Sequence, residues 1–237
     1  MQNCKLMAVA ALVVMAAFTS VKADMILTIR CMADDQTSTY DFFIPCKAGD
    51  ADWTLQEPVN LLGQNEVKLA TIRELSLQTN AEPFVNLHFS LEAGSADTTF
   101  NVRSALLEFD PLVNPLAYAS AGITLTGDAD GARITGLLAD GMCYQARYNG
   151  SSVYENLLPG FDAGSDMTLT QSQRRPTATY DNISGTVSSM QTEFNFVLSA
   201  LDQASGTSRF EVVVPEPATI SMVIMGCAAV LCRRRKR

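Results

Sequence analysis

Two short acidic segments and one histidine are the places where this chain could do chemistry. Asp128-Ala129-Asp130-Gly131 sets two carboxylates two residues apart beside a glycine. Hard cations such as Ca2+ want several oxygens converging at about 2.4 Å, and this segment could supply part of such a shell. No third acidic ligand or closing Glu follows in EF-hand register, and Asp with Gly is equally what a hairpin turn requires. Asp50, Asp52 and Trp53 lie together in a loop-like stretch that holds the chain's single tryptophan. An indole beside carboxylates can grip a sugar, or it can close one end of a β-sandwich as a plug. His88 is the single histidine, so histidine-dependent acid–base or triad chemistry would have to run through it. Its plainer role is that of an exposed residue on a strand.

Other chemistries lack their residues. There is no Gly-x-Ser-x-Gly elbow and no phosphate loop, and no Cys-x-x-Cys or Cys/His cluster suited to zinc. A glycosidase would need two carboxylates facing each other across a cleft, and nothing in the sequence singles out a pair. No residue is therefore assigned a catalytic role, and no cofactor is expected, Ca2+ at Asp128 and Asp130 being the one candidate.

The elements that must position these groups are strands. Leu27, Ile29 and Cys31 alternate with Thr28 and Arg30, and Tyr40, Phe42 and Ile44 repeat the pattern. Val85, Leu87, Phe89 and Leu91 alternate with Asn86, His88 and Ser90, which is a strand with one buried and one polar face. Met142–Asn149 alternates in the same way. Phe194–Leu198 and Phe210–Val214 flank a turn at Gln203–Gly206 and read as a closing hairpin. The apolar parity slips between Phe100/Val102 and Leu107/Phe109, which predicts a bulge near Ser104–Ala105. Many short strands with close turn signals and little helical periodicity predict an all-β fold: an antiparallel β-sandwich of jelly-roll type over residues 24–213. A hairpin of Met25–Met32 with Thr39–Cys46 would set Cys31 against Tyr40 and Cys46 against Met25, so far apart that buried free thiols are the expectation over a disulfide.

Charge narrows the partners. Seven of the 17 Lys/Arg but only one of the 25 Asp/Glu lie in the end segments. The body therefore carries ten cations against 24 anions, near −14, where the whole chain is −8. Such a surface disfavours nucleic acid and anionic lipid headgroups.

The two ends read as addresses. Lys5, the uncharged run Leu6–Phe18 and a small residue at Ala23 form a secretory signal peptide over residues 1–23, cut between Ala23 and Asp24. At the other end, residues 214–237 hold Pro215-Glu216-Pro217, an uncharged stretch Ala218–Cys232, and five cations, Arg233, Arg234, Arg235, Lys236 and Arg237. A 15-residue helix reaches about 22 Å, short of a hydrocarbon core of about 30 Å, so snorkelling or local thinning must complete this single transmembrane helix. The cationic cluster belongs on the cytoplasmic side, which leaves the body outside.

Signal peptide, body, Pro-Glu-Pro, short apolar helix and basic terminus in this order resemble the PEP-CTERM proteins of Gram-negative bacteria. That resemblance implies export by the Sec translocase. It also implies recognition of Pro215, Glu216 and Pro217 by an exosortase-type membrane enzyme, with Arg233–Arg237 as the stop. The expected role is structural or adhesive and non-enzymatic, at the inner membrane during sorting and then at the cell surface or in extracellular matrix. A carbohydrate-binding module that holds extracellular polysaccharide is the alternative, with an extracellular glycosidase behind it.

Overall fold

The computed structural model describes residues 25–33, 39–46, 51–63, 66–80 and 82–214. Ala23, Asp24, Asp50 and the whole segment 215–237 lie outside them, and with them the expected cleavage site, sorting motif and basic stop. Among the described residues no helix is long and apolar enough to cross a membrane.

The described chain is a succession of strands. The first are β1 (Met25–Ala33), β2 (Thr39–Cys46), β3 (Ala51–Thr54), β4 (Val59–Leu62), β5 (Lys68–Asn80) and β6 (Phe84–Ala93). There follow β7 (Thr98–Arg103), β8 (Leu107–Val113), β9 (Leu116–Thr126), β10 (Ala132–Gly136), β11 (Met142–Tyr148) and β12 (Ser152–Pro159). The last are β13 (Phe161–Ala163), β14 (Thr168–Arg175), β15 (Asp181–Asn182), β16 (Thr186–Leu198) and β17 (Gln203–Val213). They form two antiparallel sheets. The first is ordered β12-β11-β16-β7-β1-β2, with β10 and β8 also pairing with β16. The second is ordered β14-β9-β17-β6-β5-β3, with β4 also on β5 and β15 also on β9.

The alternation read from the sequence is what closes the core. Val85, Leu87, Phe89 and Leu91 are buried, while Asn86 and His88 stay partly exposed on the other face. Phe89 of the second sheet meets Phe194 of the first edge to face at 4.9 Å and stacks with Phe196 at 6.0 Å. Tyr144 and Phe100 extend the cluster to 4.9 Å from Phe194 and 5.8 Å from Phe196. Each such pair adds about 0.5–1.5 kcal/mol beyond area burial, so this aromatic seam is what joins the sheets.

Two local expectations hold in detail. In the β1–β2 ladder Cys31 stands opposite Tyr40 and Cys46 opposite Met25, about 20 Å apart along the strands, and Cys31 and Cys143 are free and buried. Residues 104–106 leave the strand between β7 and β8, both of which pair with β16. The Ser104 hydroxyl enters the gap, accepting a bond from the Thr192 amide at 3.0 Å. That is the parity-correcting irregularity near Ser104–Ala105.

The closing hairpin is corrected. β16 and β17 follow one another in sequence, but β16 is central to the first sheet and β17 to the second. Residues 199–202 carry the chain across the sandwich. Both strands are apolar on one face, and burying both apolar faces against each other across the core outweighs pairing them edge to edge, which would leave that face to solvent.

Candidate functional site

The outer face of the second sheet carries a groove of about 350 Å³. Register explains its lining. Asp52 is opposite Gln78, Gln78 opposite Asn86, and Asn86 opposite Arg209. The row continues through Ser120 to Arg174. Six strands at about 4.8 Å spacing make this row about 24 Å long, running across the strands. The neighbouring row on the same face is Thr54, Ser76, His88, Thr207, Gly122 and Ser172. Its members are small except for His88, and this makes a shallow trough beside the taller amides.

The taller row is wired together. The Asn86 amide donates to Gln78 Oε1 at 2.9 Å, and Arg209 donates to Asn86 Oδ1 at 3.4 Å. Arg209 also donates through Nε to Glu211 at 2.7 Å, and the Tyr180 hydroxyl donates to the other Glu211 oxygen at 3.1 Å. Arg209 sits 4.5 Å over the Phe84 ring and Arg174 4.5 Å over Tyr118, each a cation–π contact. Burial, reinforced by Glu211, pushes the Tyr118 and Tyr180 phenols up, so both remain donors. Amides, hydroxyls and stacked guanidinia on one flat face are groups that exchange hydrogen bonds with water for hydrogen bonds with a hydroxyl-rich ligand.

His88 lies in this trough, with Ser76 and Thr207 beside it on the adjoining strands and its Nε2 3.0 Å from Glu74 Oε2. Serine, histidine and glutamate are the components of a hydrolytic triad. The second half of that machinery is a pair of free N–H donors for an oxyanion. Here β5, β6 and β17 each have strand partners on both sides, so their amides are committed to ladders.

The residues singled out from sequence separate. Asp52 lines the groove from the edge strand β3. Trp53 pairs with Leu77, in the register row between the two outward ones, and packs against the core. Alternation directs its side chain toward the core, as a plug requires, and the half-buried residue also borders the groove. Asp128 and Asp130 lie apart from the groove, in the turn between β9 and β10. The Asp130 amide donates to Asp128 Oδ1 at 3.1 Å, and the Asp128 carbonyl accepts from Gly131 and Asp166. The two carboxyls share a hydrogen bond that holds Asp128 below and Asp130 above the usual carboxylate range. Among the described residues no three His, Cys, Asp or Glu side chains gather to hold a metal ion. The bond from the Asp130 amide to the Asp128 carboxylate two residues back is that of an Asx turn.

Gln78, Asn86, Thr207 and Arg209 were not singled out from sequence. Their signal was present as the polar parity of three apolar-alternating segments. Which three segments lie side by side is set by long-range pairing, which one sequence does not display.

A second polar cluster occupies the outer face of the first sheet. The Glu193 side chain is 4% exposed although it points away from the core. Arg103 at 3.0 Å, Arg147 at 3.1 Å and the Asn101 amide at 2.5 Å close over it. The cluster fastens β7, β16 and β11 to one another.

No family model matches the chain, and no curated protein matches it. Among solved structures, the CBM22-1 xylan-binding domain of Xyn10C from Paenibacillus barcinonensis is similar over 72% of this chain and 99% of that domain, at 8% identity and TM-score 0.26. The structure of the Gx strain of infectious bursal disease virus is similar over 76% of this chain and 46% of that one, at 9% identity and TM-score 0.15. Likenesses this loose carry no argument about fold or ligand.

Proposed function

We propose that this chain is an exported, non-catalytic β-sandwich of the cell envelope or extracellular matrix, adhesive in role, which holds polysaccharide on the outer face of its second sheet. What supports it is the register row from Asp52 through Gln78, Asn86 and Arg209 to Arg174, hydrogen-bonded side chain to side chain at Gln78–Asn86–Arg209 and bordered by the small-residue trough of Ser76, Thr207 and Gly122. A flat, polar track running across strands suits an extended polymer better than a small molecule, which needs a deep pocket to bury most of its surface. Commitment of the underlying amides to ladders supports binding over hydrolysis. The interleaved order of the central strands, β6-β17-β9-β14 against β7-β16-β11-β12, supports the jelly-roll reading. Sec export and an exosortase-type enzyme acting on Pro215-Glu216-Pro217 would deliver the body there, with Arg233–Arg237 as the stop.

Mixing the protein with a panel of insoluble polysaccharides and measuring what leaves the supernatant tests the binding. Depletion without release of soluble sugar is expected. Sugar release that disappears on replacing a pair of carboxylates would overturn the non-catalytic reading. Intact-mass analysis of the cell-surface protein tests the sorting: the N-terminus is expected at Asp24 and a new C-terminus near residues 215–219. An intact Arg237 would make the tail an anchor alone.

A further inference from the structure

Sheet edges expose rows of unpaired N–H and C=O groups, and proteins guard them with short strands, bulges, prolines or charge. Most edges here are guarded. β3 and β4 have four residues each, β13 has three, β2 carries Pro45, and the β12 ladder skips Tyr154 and ends at Pro159. β14 is the exception. It runs eight residues, Thr-Leu-Thr-Gln-Ser-Gln-Arg-Arg, pairs with β9 in unbroken register, and contains neither proline nor carboxylate. Its side chains are exposed on both faces except for Gln171, which is half-buried. Among the described residues no backbone partner takes its free edge. In a body near −14, this is a long edge without negative charge, bounded by Asp166 at one end and Arg174-Arg175 at the other.

We infer that β14 is a self-association edge, at which two copies of this chain pair antiparallel about a two-fold axis at Thr170. Paired residues in a ladder point to the same face, so outward Thr168, Thr170, Ser172 and Arg174 must meet outward residues of the other copy. Thr170 against Thr170 sets Thr168 against Ser172 and places each Arg174 beside the turn at the other copy's Asp166, which the guanidinium reaches by exchanging its contact with the Tyr118 ring for the ion pair. A shift by one pair would bring Arg174 to Thr168 and Asp166 to Pro176, losing both ion pairs. Opposite charges facing across strands are favourable and like charges unfavourable, so charge selects the first register. The outer face then runs continuously through both copies, because β14 already joins it by the Thr124–Thr170 and Thr126–Thr168 hydroxyl pairs at 2.8 and 3.2 Å. With one strand per partner the contact is small, and it belongs to crowded surfaces where effective concentration is high.

Sedimentation of the purified full-length chain over a dilution series tests this. The expected result is reversible dimerisation, to twice the 25.6 kDa of one chain. Thr170→Lys places two like charges at the axis and should raise the dissociation constant about tenfold or more. Arg174→Asp should do the same, and the exchange Arg174→Asp with Asp166→Lys should recover most of the loss. Circular dichroism confirms that each variant keeps its sheets. A chain that stays monomeric throughout, a dimer indifferent to Thr170→Lys, or a charge exchange that restores nothing would each overturn the inference.

Discussion

The ring of Phe89 lies across Gly206, its cross-strand partner in β17, so closely that a Cβ on Gly206 would stand 2.2 Å from Phe89 Cζ. The missing side chain makes room for the ring that meets Phe194 and Phe196 of the opposite sheet. Immediately beside this pair, and pointing the other way, are His88 and Thr207 of the groove. The contact that locks the sandwich therefore also sets the floor of the candidate site.

Gly206→Ala should destabilise the fold by about 1–3 kcal/mol, because the ring it strikes is walled in by other aromatics and cannot withdraw. Gly122, on the same sheet, is the contrast. A Cβ there meets nothing nearer than 3.6 Å, so Gly122→Ala should be neutral or stabilising by up to about 1 kcal/mol. Urea midpoints of the two variants check both signs.

Glu193→Ala should cost about 2–3 kcal/mol, since it leaves Arg103, Arg147 and Asn101 without the acceptor they close over. Glu193→Gln keeps the shape and one acceptor oxygen and should cost less. Neither should alter ligand binding, because this cluster lies on the opposite sheet. Chemical denaturation together with a binding assay separates the two effects.

Burial pushes the Cys31 and Cys143 thiols up from the ordinary 9.0 to about 12. A folded pKa above the unfolded one means that their contribution is full below about pH 9 and is lost as pH rises toward 12. Stability should therefore fall across that window, and less steeply in the Cys31→Ala/Cys143→Ala protein. Iodoacetamide should label neither thiol at neutral pH until the chain is unfolded in urea, which mass spectrometry reads directly.

Much of the fold was legible because period-two alternation survives in single strands. Val85–Leu91 announces its buried and exposed sides without reference to any neighbour, and the slip between Val102 and Leu107 announces its own irregularity. The assignment of strands to sheets was hidden. Phe194–Leu198 and Phe210–Val214 have the pattern of a hairpin, and the same pattern fits two strands facing each other across a core. β14 was invisible for a different reason: Thr-Leu-Thr-Gln-Ser-Gln-Arg-Arg buries almost nothing, so it has no apolar period to show. The groove was half legible. His88 and Asp52 stood out by residue type, whereas Gln78, Asn86 and Arg209 matter only because three distant segments bring them into one row. Trp53 stood out most among the aromatics, and it packs against the core at the border of the groove.

Affinity electrophoresis in gels containing soluble glycans reads whether the outer face of the second sheet holds polysaccharide. The parent chain should be retarded by at least one glycan, Gln78→Ala/Asn86→Ala should migrate as in an empty gel, and Glu193→Gln should be retarded like the parent. Unretarded migration of the parent through every glycan, or equal retardation of the Gln78→Ala/Asn86→Ala variant, would contradict it.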